Sequence, residues 1–309
     1  MRNLDKEFKM NIKLILFICL LFNVGFVTKA QSYCDFLKKV REYQISIKLN
    51  EHLEDEYQIP EVDTTSFDIK VYMSFFDRLK LRAGNRAFLV NFYNRDTGSP
   101  ALCVQETAFD MDKFVDEIIT KRNHYTDSIF DQKKSEYLSK NYQEDVIKRL
   151  DRIKENQKKS ITRNSALIQY AIDSTKRVRN NLIPEDTPIG YFQYLFFHQM
   201  GEQFALFWHA YYGEKTVLCD KKDIEYYLSY YKERKGYFYY DENKIRDLLN
   251  LDLSPAVELD STSCIISWYE IYTHGGIYKN TYKIERAYPF RIKRVASEKI
   301  AAINALFFY

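Results

Sequence analysis

The sequence predicts an α+β fold, in which helices cover one antiparallel sheet, and three patterns support this prediction. Residues 278–285 alternate between apolar and polar side chains, which is typical of a strand with one buried face. Residues 264–272 form a second strand-like run, and Gly275-Gly276 between the two supplies the backbone freedom that a hairpin turn needs. Residues 129–183 instead repeat their apolar positions with a helical period. Helices and strands therefore occupy separate parts of the chain, as in α+β proteins.

The first thirty residues have the composition of a secretory signal peptide. A run of nine apolar residues, 14–22, follows Lys13, and small side chains precede the expected cleavage point after Ala30. The run is too short for a transmembrane helix, which needs about 20 residues. We therefore expect a start at Met1 or Met10, cleavage after Ala30, and a mature protein in the periplasm or outside the cell.

Removing this signal peptide changes the charge balance. The full chain has 46 Lys and Arg against 43 Asp and Glu, and residues 1–30 contain five of these bases and two of these acids. The mature chain would therefore carry 41 of each. Because nucleic-acid binding depends on excess positive charge, we expect no nucleic-acid partner. The rest of the sequence has no long apolar run, so we expect no membrane span after cleavage.

Four cysteines remain after cleavage, namely Cys34, Cys103, Cys219 and Cys264. An even number in an exported chain favours two disulfides, and three pairings are possible. The preferred pairing joins Cys34 to Cys103 and Cys219 to Cys264, because each bridge then stays within one half of the chain. The wide spacing of the cysteines excludes the usual zinc motifs.

Two segments, 74–103 and 190–219, suggest an internal duplication. They align without a gap and share five identical residues, including Cys103 and Cys219. The chain also has 26 Tyr and 22 Phe, which an A/T-rich genome would explain, so a chance resemblance stays open. If the duplication is real, each copy forms a helix, a hairpin and a second helix, with the first helices at 72–83 and 188–200.

Further helices complete the predicted architecture. Residues 32–50 form a first helix, residues 129–183 form two charged antiparallel helices that turn near 155–160, and a closing helix covers about 295–307. The expected divisions are an N-terminal α+β unit, a charged helical hairpin insert and a C-terminal α+β unit, although 31–309 can also be a single domain. Their expected ranges are 31–124, 125–186 and 187–309.

One cluster of residues could bind a metal ion. On a continuous helix, His198, Glu202 and His209 would lie within about 40° of one another. Three such ligands with an open fourth position are what a catalytic zinc requires. Gly201 argues against a continuous helix, and would leave His198 at a helix end and His209 on a strand. Zinc is the only cofactor that the sequence suggests, and only through this cluster.

Aromatic residues give a second candidate site. Tyr226 and Tyr230 lie on one side of a predicted helix, and Trp208 precedes His209. These rings could stack on a ligand, or they could simply pack into the core. The sequence contains no recognised nucleophile, zinc-protease, phosphate-loop or dinucleotide motif. We therefore expect an exported protein that binds a small ligand or a protein without catalysis, with a secreted metal-dependent hydrolase as the alternative.

Overall fold

The structure is a computed structural model that describes residues 32–43, 46, 68–90, 101–201, 215–233, 236–272 and 275–307. The chain divides into two compact units. Unit 1 contains the described residues of Met1–Leu79 and Pro184–Tyr309, and unit 2 contains Lys80–Ile183. Unit 2 is therefore inserted into the sequence of unit 1.

The helices in chain order are α1 (32–43), α2 (Ile69–Ser74), α3 (Met111–Ser139), α4 (Glu144–Lys159), α5 (Arg163–Ile172), α6 (Pro188–Met200), α7 (Lys221–Glu233) and α8 (Glu242–Leu248). The strands are β1 (Leu79–Leu81), β2 (Asn85–Val90), β3 (Ala101–Glu106), β4 (Leu182–Pro184), β5 (Lys215–Leu218), β6 (Gly236–Tyr240), β7 (Ala256–Leu259), β8 (Ser263–Tyr272), β9 (Gly276–Glu285), β10 (Ile292–Ala301) and β11 (Ile303–Phe307). These helices and antiparallel strands confirm the predicted α+β class.

The main sheet of unit 1 has the strand order β10-β9-β8-β5, and β7 also pairs with β8. All of these pairs are antiparallel. The predicted hairpin is confirmed, because β8 and β9 pair from Ser263↔Glu285 to Tyr272↔Gly276. Gly276 has a φ of 118°, a conformation that side chains with a Cβ rarely adopt.

Helices cover both faces of this sheet. On one face, α1 and α6 form an aromatic core in which Phe36 and Phe192 meet edge to face, and Phe192 contacts Trp268 of β8 at 5.9 Å between ring centroids. We call this side the Trp268 face. The opposite side packs against α7, α8 and β11, through an apolar cluster of Leu218, Ile224, Ile245, Leu248, Leu253, Tyr269, Ile271, Ile277, Ala301 and Ile303.

A disulfide attaches α1 to the segment that follows β5. It joins Cys34 to Cys219, with 5.7 Å between their Cα atoms. Arg41 reinforces this attachment, since its guanidinium forms an ion pair with Asp223 and donates to the carbonyl oxygen of Val217 at 3.1 Å. The bridge closes a loop between residues 185 positions apart in the sequence.

The preferred cysteine pairing was wrong. Cys103 and Cys264 are buried and form no disulfide. The register explains why Cys219 cannot reach Cys264: its neighbour Leu218 pairs with Tyr269, five positions along β8 from Cys264. That separation is about 16 Å on an extended strand, whereas a disulfide requires Cα atoms within about 7 Å. Cys103 instead lies in unit 2, paired with Phe88.

Unit 2 combines a hairpin with three helices. Strands β2 and β3 pair from Asn85↔Glu106 to Val90↔Ala101. Helices α3 and α4 lie against each other and are joined by charges, since Lys134 of α3 contacts Asp151 of α4 at 2.7 Å. The predicted turn near 155–160 corresponds to the break before α5, but a further turn at residues 140–143 separates α3 from α4. The predicted unit boundary after residue 124 falls inside α3.

Other predicted elements differ from the structure. The helix expected at 72–83 ends at Ser74, and β1 follows it. The closing helix expected at about 295–307 is instead the strands β10 and β11, because residues 292–301 pair with β9 and residues 303–307 pair with β6. The duplication stays a prediction, since part of its second copy lies outside the described residues. No described helix has the length and apolar character that crossing a membrane requires.

Candidate ligand-binding face

A buried carboxylate lies at the centre of the main sheet. Glu270 belongs to β8, which has neighbours on both sides, and none of its surface is exposed. Strand pairing places it opposite Val217 of β5 and Tyr278 of β9. Because alternate residues of a strand point to one side, Trp268, Glu270 and Tyr272 all lie on the Trp268 face.

Three side chains donate hydrogen bonds to this carboxylate. The Trp268 indole N–H donates to Oε2 at 2.9 Å, the Asn280 amide donates to Oε1 at 2.5 Å, and the Tyr272 hydroxyl also donates to Oε1. All three donors are neutral. Burying a charge costs several kcal/mol unless hydrogen bonds offset the lost hydration, so these bonds hold Glu270 in place and fix the donors themselves.

Asn280 has one further property. It is fully buried, and its Oδ1 atom has no hydrogen-bond partner in the part of the chain that the structure describes. The amide orientation is determined by Glu270, because a carboxylate accepts hydrogen bonds and therefore faces the NH2 group. The polar cluster around Glu270 thus contains one acceptor, Asn280 Oδ1, that the other members of the cluster do not use.

Burial also affects the tyrosines of this face. Burial raises the pKa of Tyr282 to about 12, the Glu270 charge adds to this increase, and the charge and the hydrogen bond of Arg294 oppose it. Burial and the hydrogen bond to Glu270 likewise raise the pKa of Tyr272. Both hydroxyls therefore stay protonated at neutral pH and remain able to donate.

Two lysines and two tyrosines form a row across four strands, which we call the Lys–Tyr row. Its members are Lys215 of β5, Tyr272 of β8, Tyr278 of β9 and Lys299 of β10. The Nζ atom of Lys215 lies 5.1 Å from the Tyr272 ring centroid, and that of Lys299 lies 5.7 Å from the Tyr278 centroid. The two rings meet edge to face at 5.2 Å. Three strand spacings and a two-residue offset along the strands separate the ends of the row, which is about 16 Å.

The row extends from the buried cluster toward solvent. Lys299 is exposed, while Lys215, Tyr272 and Tyr278 are half-buried. Arg294 of β10 is also exposed, and strand pairing places it opposite Tyr282. The Trp268 face therefore combines aromatic rings, protonated hydroxyls and positive charges at its margin. Such a combination can bind an elongated ligand through stacking, hydrogen bonds and charge.

The predicted metal ligands are only partly described. His198 lies in the last turn of α6, half-buried, with its ring 4.4 Å from that of Tyr194. Glu202 and His209 lie outside the described residues, so the zinc cluster stays a prediction. Gly201 follows the end of α6 as its C-cap, as expected. Within the described ranges, no group of three or more His, Cys, Asp or Glu residues could hold a metal ion.

The predicted aromatic site is also partly described. Tyr226 lies in α7 and is 47% exposed, and its ring meets Tyr227 edge to face at 5.3 Å. The Tyr227 hydroxyl is 2.7 Å from Thr216 Oγ1, which attaches α7 to β5. Tyr230 lies one turn later in α7, and Trp208 lies outside the described residues. Ligand binding by these tyrosines stays a prediction.

Cys103 and Cys264, which form no disulfide, are poor candidates for chemistry. Both are buried, and burial raises the pKa of Cys264 to about 12. A thiol with so high a pKa is protonated at neutral pH, and the thiolate is the reactive form. Cys264 therefore acts as a small apolar side chain.

No family model matches the chain, and neither curated proteins nor solved structures gave a match.

Sequence reasoning missed the Glu270 cluster and the Lys–Tyr row. One signal was present, because Trp268, Glu270 and Tyr272 occupy alternate positions of a run that was predicted as a strand. An acid at the inward position of a central strand indicates a buried polar site. The lysines carried no such signal, since only the strand register places them beside these tyrosines.

Proposed function

We propose that this protein is exported, is processed after Ala30, and binds a ligand without catalysis in the periplasm or outside the cell, using the Lys–Tyr row. The Cys34–Cys219 disulfide supports export, because such bonds persist mainly in oxidising compartments.

The observation that carries the proposal is the Lys–Tyr row itself. Tyrosine rings provide a large contact area with few rotatable bonds, so binding to them costs little conformational entropy. Here the Tyr272 hydroxyl is held by Glu270, and the Tyr272 and Tyr278 rings contact each other. A surface that is already ordered loses less entropy when a ligand arrives. The flanking lysines add charge and hydrogen-bond donors.

The test uses the mature protein on a mixed array of oligosaccharides and peptides. We expect wild-type protein to bind at least one class. The double variant Tyr278→Ala/Lys299→Ala should weaken that binding by about tenfold or more, the expected effect of losing one aromatic contact. A matched control, Tyr125→Ala/Lys283→Ala, removes an exposed tyrosine and an exposed lysine elsewhere and should bind as wild type does.

The proposal would be contradicted if the control variant lost as much affinity as the row variant. It would also be contradicted if the row variant bound as tightly as wild type. An array on which wild-type protein binds nothing would also contradict it. Circular dichroism and an unfolding midpoint for each variant would show that the fold is retained.

A further inference from the structure

We infer, on the basis of the proposed function, that the ligand of the Lys–Tyr row is an acidic oligosaccharide in which charged and uncharged sugars alternate. The order of groups along the row motivates this assignment. Positive charges stand at both ends, at Lys215 and Lys299, and the two aromatic rings lie between them. A complementary ligand has separated negative charges and an uncharged middle.

The spacing of the cations excludes a densely charged polymer. The ends of the row are about 16 Å apart, across three strand spacings and a two-residue offset. A nucleic-acid strand carries a phosphate about every 3.4 Å, so roughly five phosphates would lie along that length. The row offers a lysine at each end, and the mature chain would have 41 bases and 41 acids. Widely spaced carboxylates fit this arrangement better than a phosphate backbone.

The centre of the row fits a sugar ring. The Tyr272 and Tyr278 rings provide apolar surface against which the C–H face of a sugar can pack, and nearby hydroxyls can bond to sugar hydroxyls. Each ammonium group now lies over a ring, at 5.1 Å for Lys215 and 5.7 Å for Lys299. When it pairs with a ligand carboxylate, the flexible lysine turns outward and uncovers the ring face.

Among the described residues of this face, the three cations Lys215, Lys299 and Arg294 outnumber the one carboxylate, Glu270. Glu270 is fully buried on the same face, and its three neutral donors leave its negative charge in place, so an uncharged group is favoured at the centre of the row. Glu298 adjoins Lys299 in β10, and neighbouring residues of a strand point to opposite sides. Arg294 adds an exposed positive charge beside Tyr282. An extended acidic peptide fits less well, because strand-like peptides bind at a sheet edge, and the row crosses a sheet face.

The test titrates the mature protein calorimetrically with three probes. The first is a hexasaccharide in which uronate and N-acetylhexosamine alternate, the second is the same compound with its carboxylates reduced to alcohols, and the third is a single-stranded oligonucleotide of similar length. We expect the acidic hexasaccharide to bind, and carboxylate reduction to weaken binding by about tenfold or more, as the loss of charge-assisted contacts predicts.

Two variants separate charge from stacking. Lys299→Gln should weaken binding and reduce the salt dependence, the slope of log K against log salt, by about 1. Tyr278→Leu should weaken binding by about tenfold or more while the slope stays unchanged. The control Lys283→Gln, an exposed lysine of β9, should change neither quantity.

Equal binding of the reduced hexasaccharide, or tighter binding of the oligonucleotide, would overturn the assignment of an acidic sugar. The assignment would also be overturned if none of the three probes bound while the array identified a different ligand whose binding depends on the Lys–Tyr row. Each of these results leaves the proposed binding function intact. An array without any ligand overturns the binding function itself.

Discussion

Replacing Cys34 and Cys219 with serine should lower the free energy of unfolding by about 5 kcal/mol. The two residues lie 185 positions apart, and the bond removes chain entropy from the unfolded state by closing that loop. The loop-entropy relation gives about 5 kcal/mol at 25 °C for a loop of this length. Both cysteines are half-buried, so serine can occupy either position without leaving a fully buried hydroxyl.

Urea unfolding with and without reductant measures this contribution. In reductant, wild-type protein should unfold at the lower midpoint of the double variant, and the variant itself should not respond. Thiol labelling provides an independent count. Unfolded, unreduced mature protein should expose two thiols, Cys103 and Cys264, whereas folded protein should expose neither because both are buried. The variant Cys103→Ala/Cys264→Ala should retain the response to reductant.

Three results would refute this reasoning. Labelling of four thiols in the unreduced mature chain would show that no disulfide forms, and labelling of none would support the two-bridge pairing instead. A wild-type midpoint that reductant does not change would show that the closed loop contributes nothing to stability.

Four other measurements test the remaining structure. Excising residues 80–183 and joining the ends with a short Gly-Ser linker should leave unit 1 folded by circular dichroism, because Glu185 N–H donates to Arg78 O at 2.8 Å beside the excision. Glu270→Gln should lower the free energy of unfolding by about 2–4 kcal/mol in urea, since an amide cannot accept all three donors; exposed Glu298→Gln should change it by less than about 0.5 kcal/mol. The pKa of Tyr282 is raised from 10.0 to about 12, so this tyrosine ionises at a lower pH in the unfolded chain than in the folded protein. Its contribution to the free energy of unfolding should therefore be full below pH 10 and be lost as the pH rises through about 12. Tyrosinate absorbance and unfolding midpoints measured across this range will show the loss. Mature protein purified without added metal should contain no stoichiometric zinc; zinc that disappears in the His198→Ala variant would support the hydrolase alternative.

Local patterns predicted the β8–β9 hairpin because its turn and its buried positions are encoded side by side. Gly275-Gly276 permits the turn, and the alternation at 278–285 places Tyr282 and Ile284 inside. Local residues also encode the bounds of α6, since Pro188 follows the N-cap Thr187 and Gly201 is the C-cap.

The same reasoning failed where distant pairing decides the structure. The segment 295–307 contains good helix formers such as Ala and Lys, but pairing with β9 and β6 makes it extended. The disulfide and the Lys–Tyr row depend on register between segments far apart in the chain. Lys215 and Lys299 flank the same two rings only because β5 and β10 lie on either side of β8 and β9.

The interrupted sequence of unit 1 dictates the order in which its parts become available. Unit 2 is one uninterrupted stretch, Lys80–Ile183. In a chain that emerges N-terminus first, all of its residues are present once residue 183 has emerged. Helix α1 emerges much earlier, but its covalent partner Cys219 and its aromatic neighbours on α6 come only after the insert. Until residue 219 has emerged, Cys34 therefore lacks its disulfide partner and the apolar side of α1 stays uncovered. In this interval a chaperone or a thiol oxidant can act on the nascent chain.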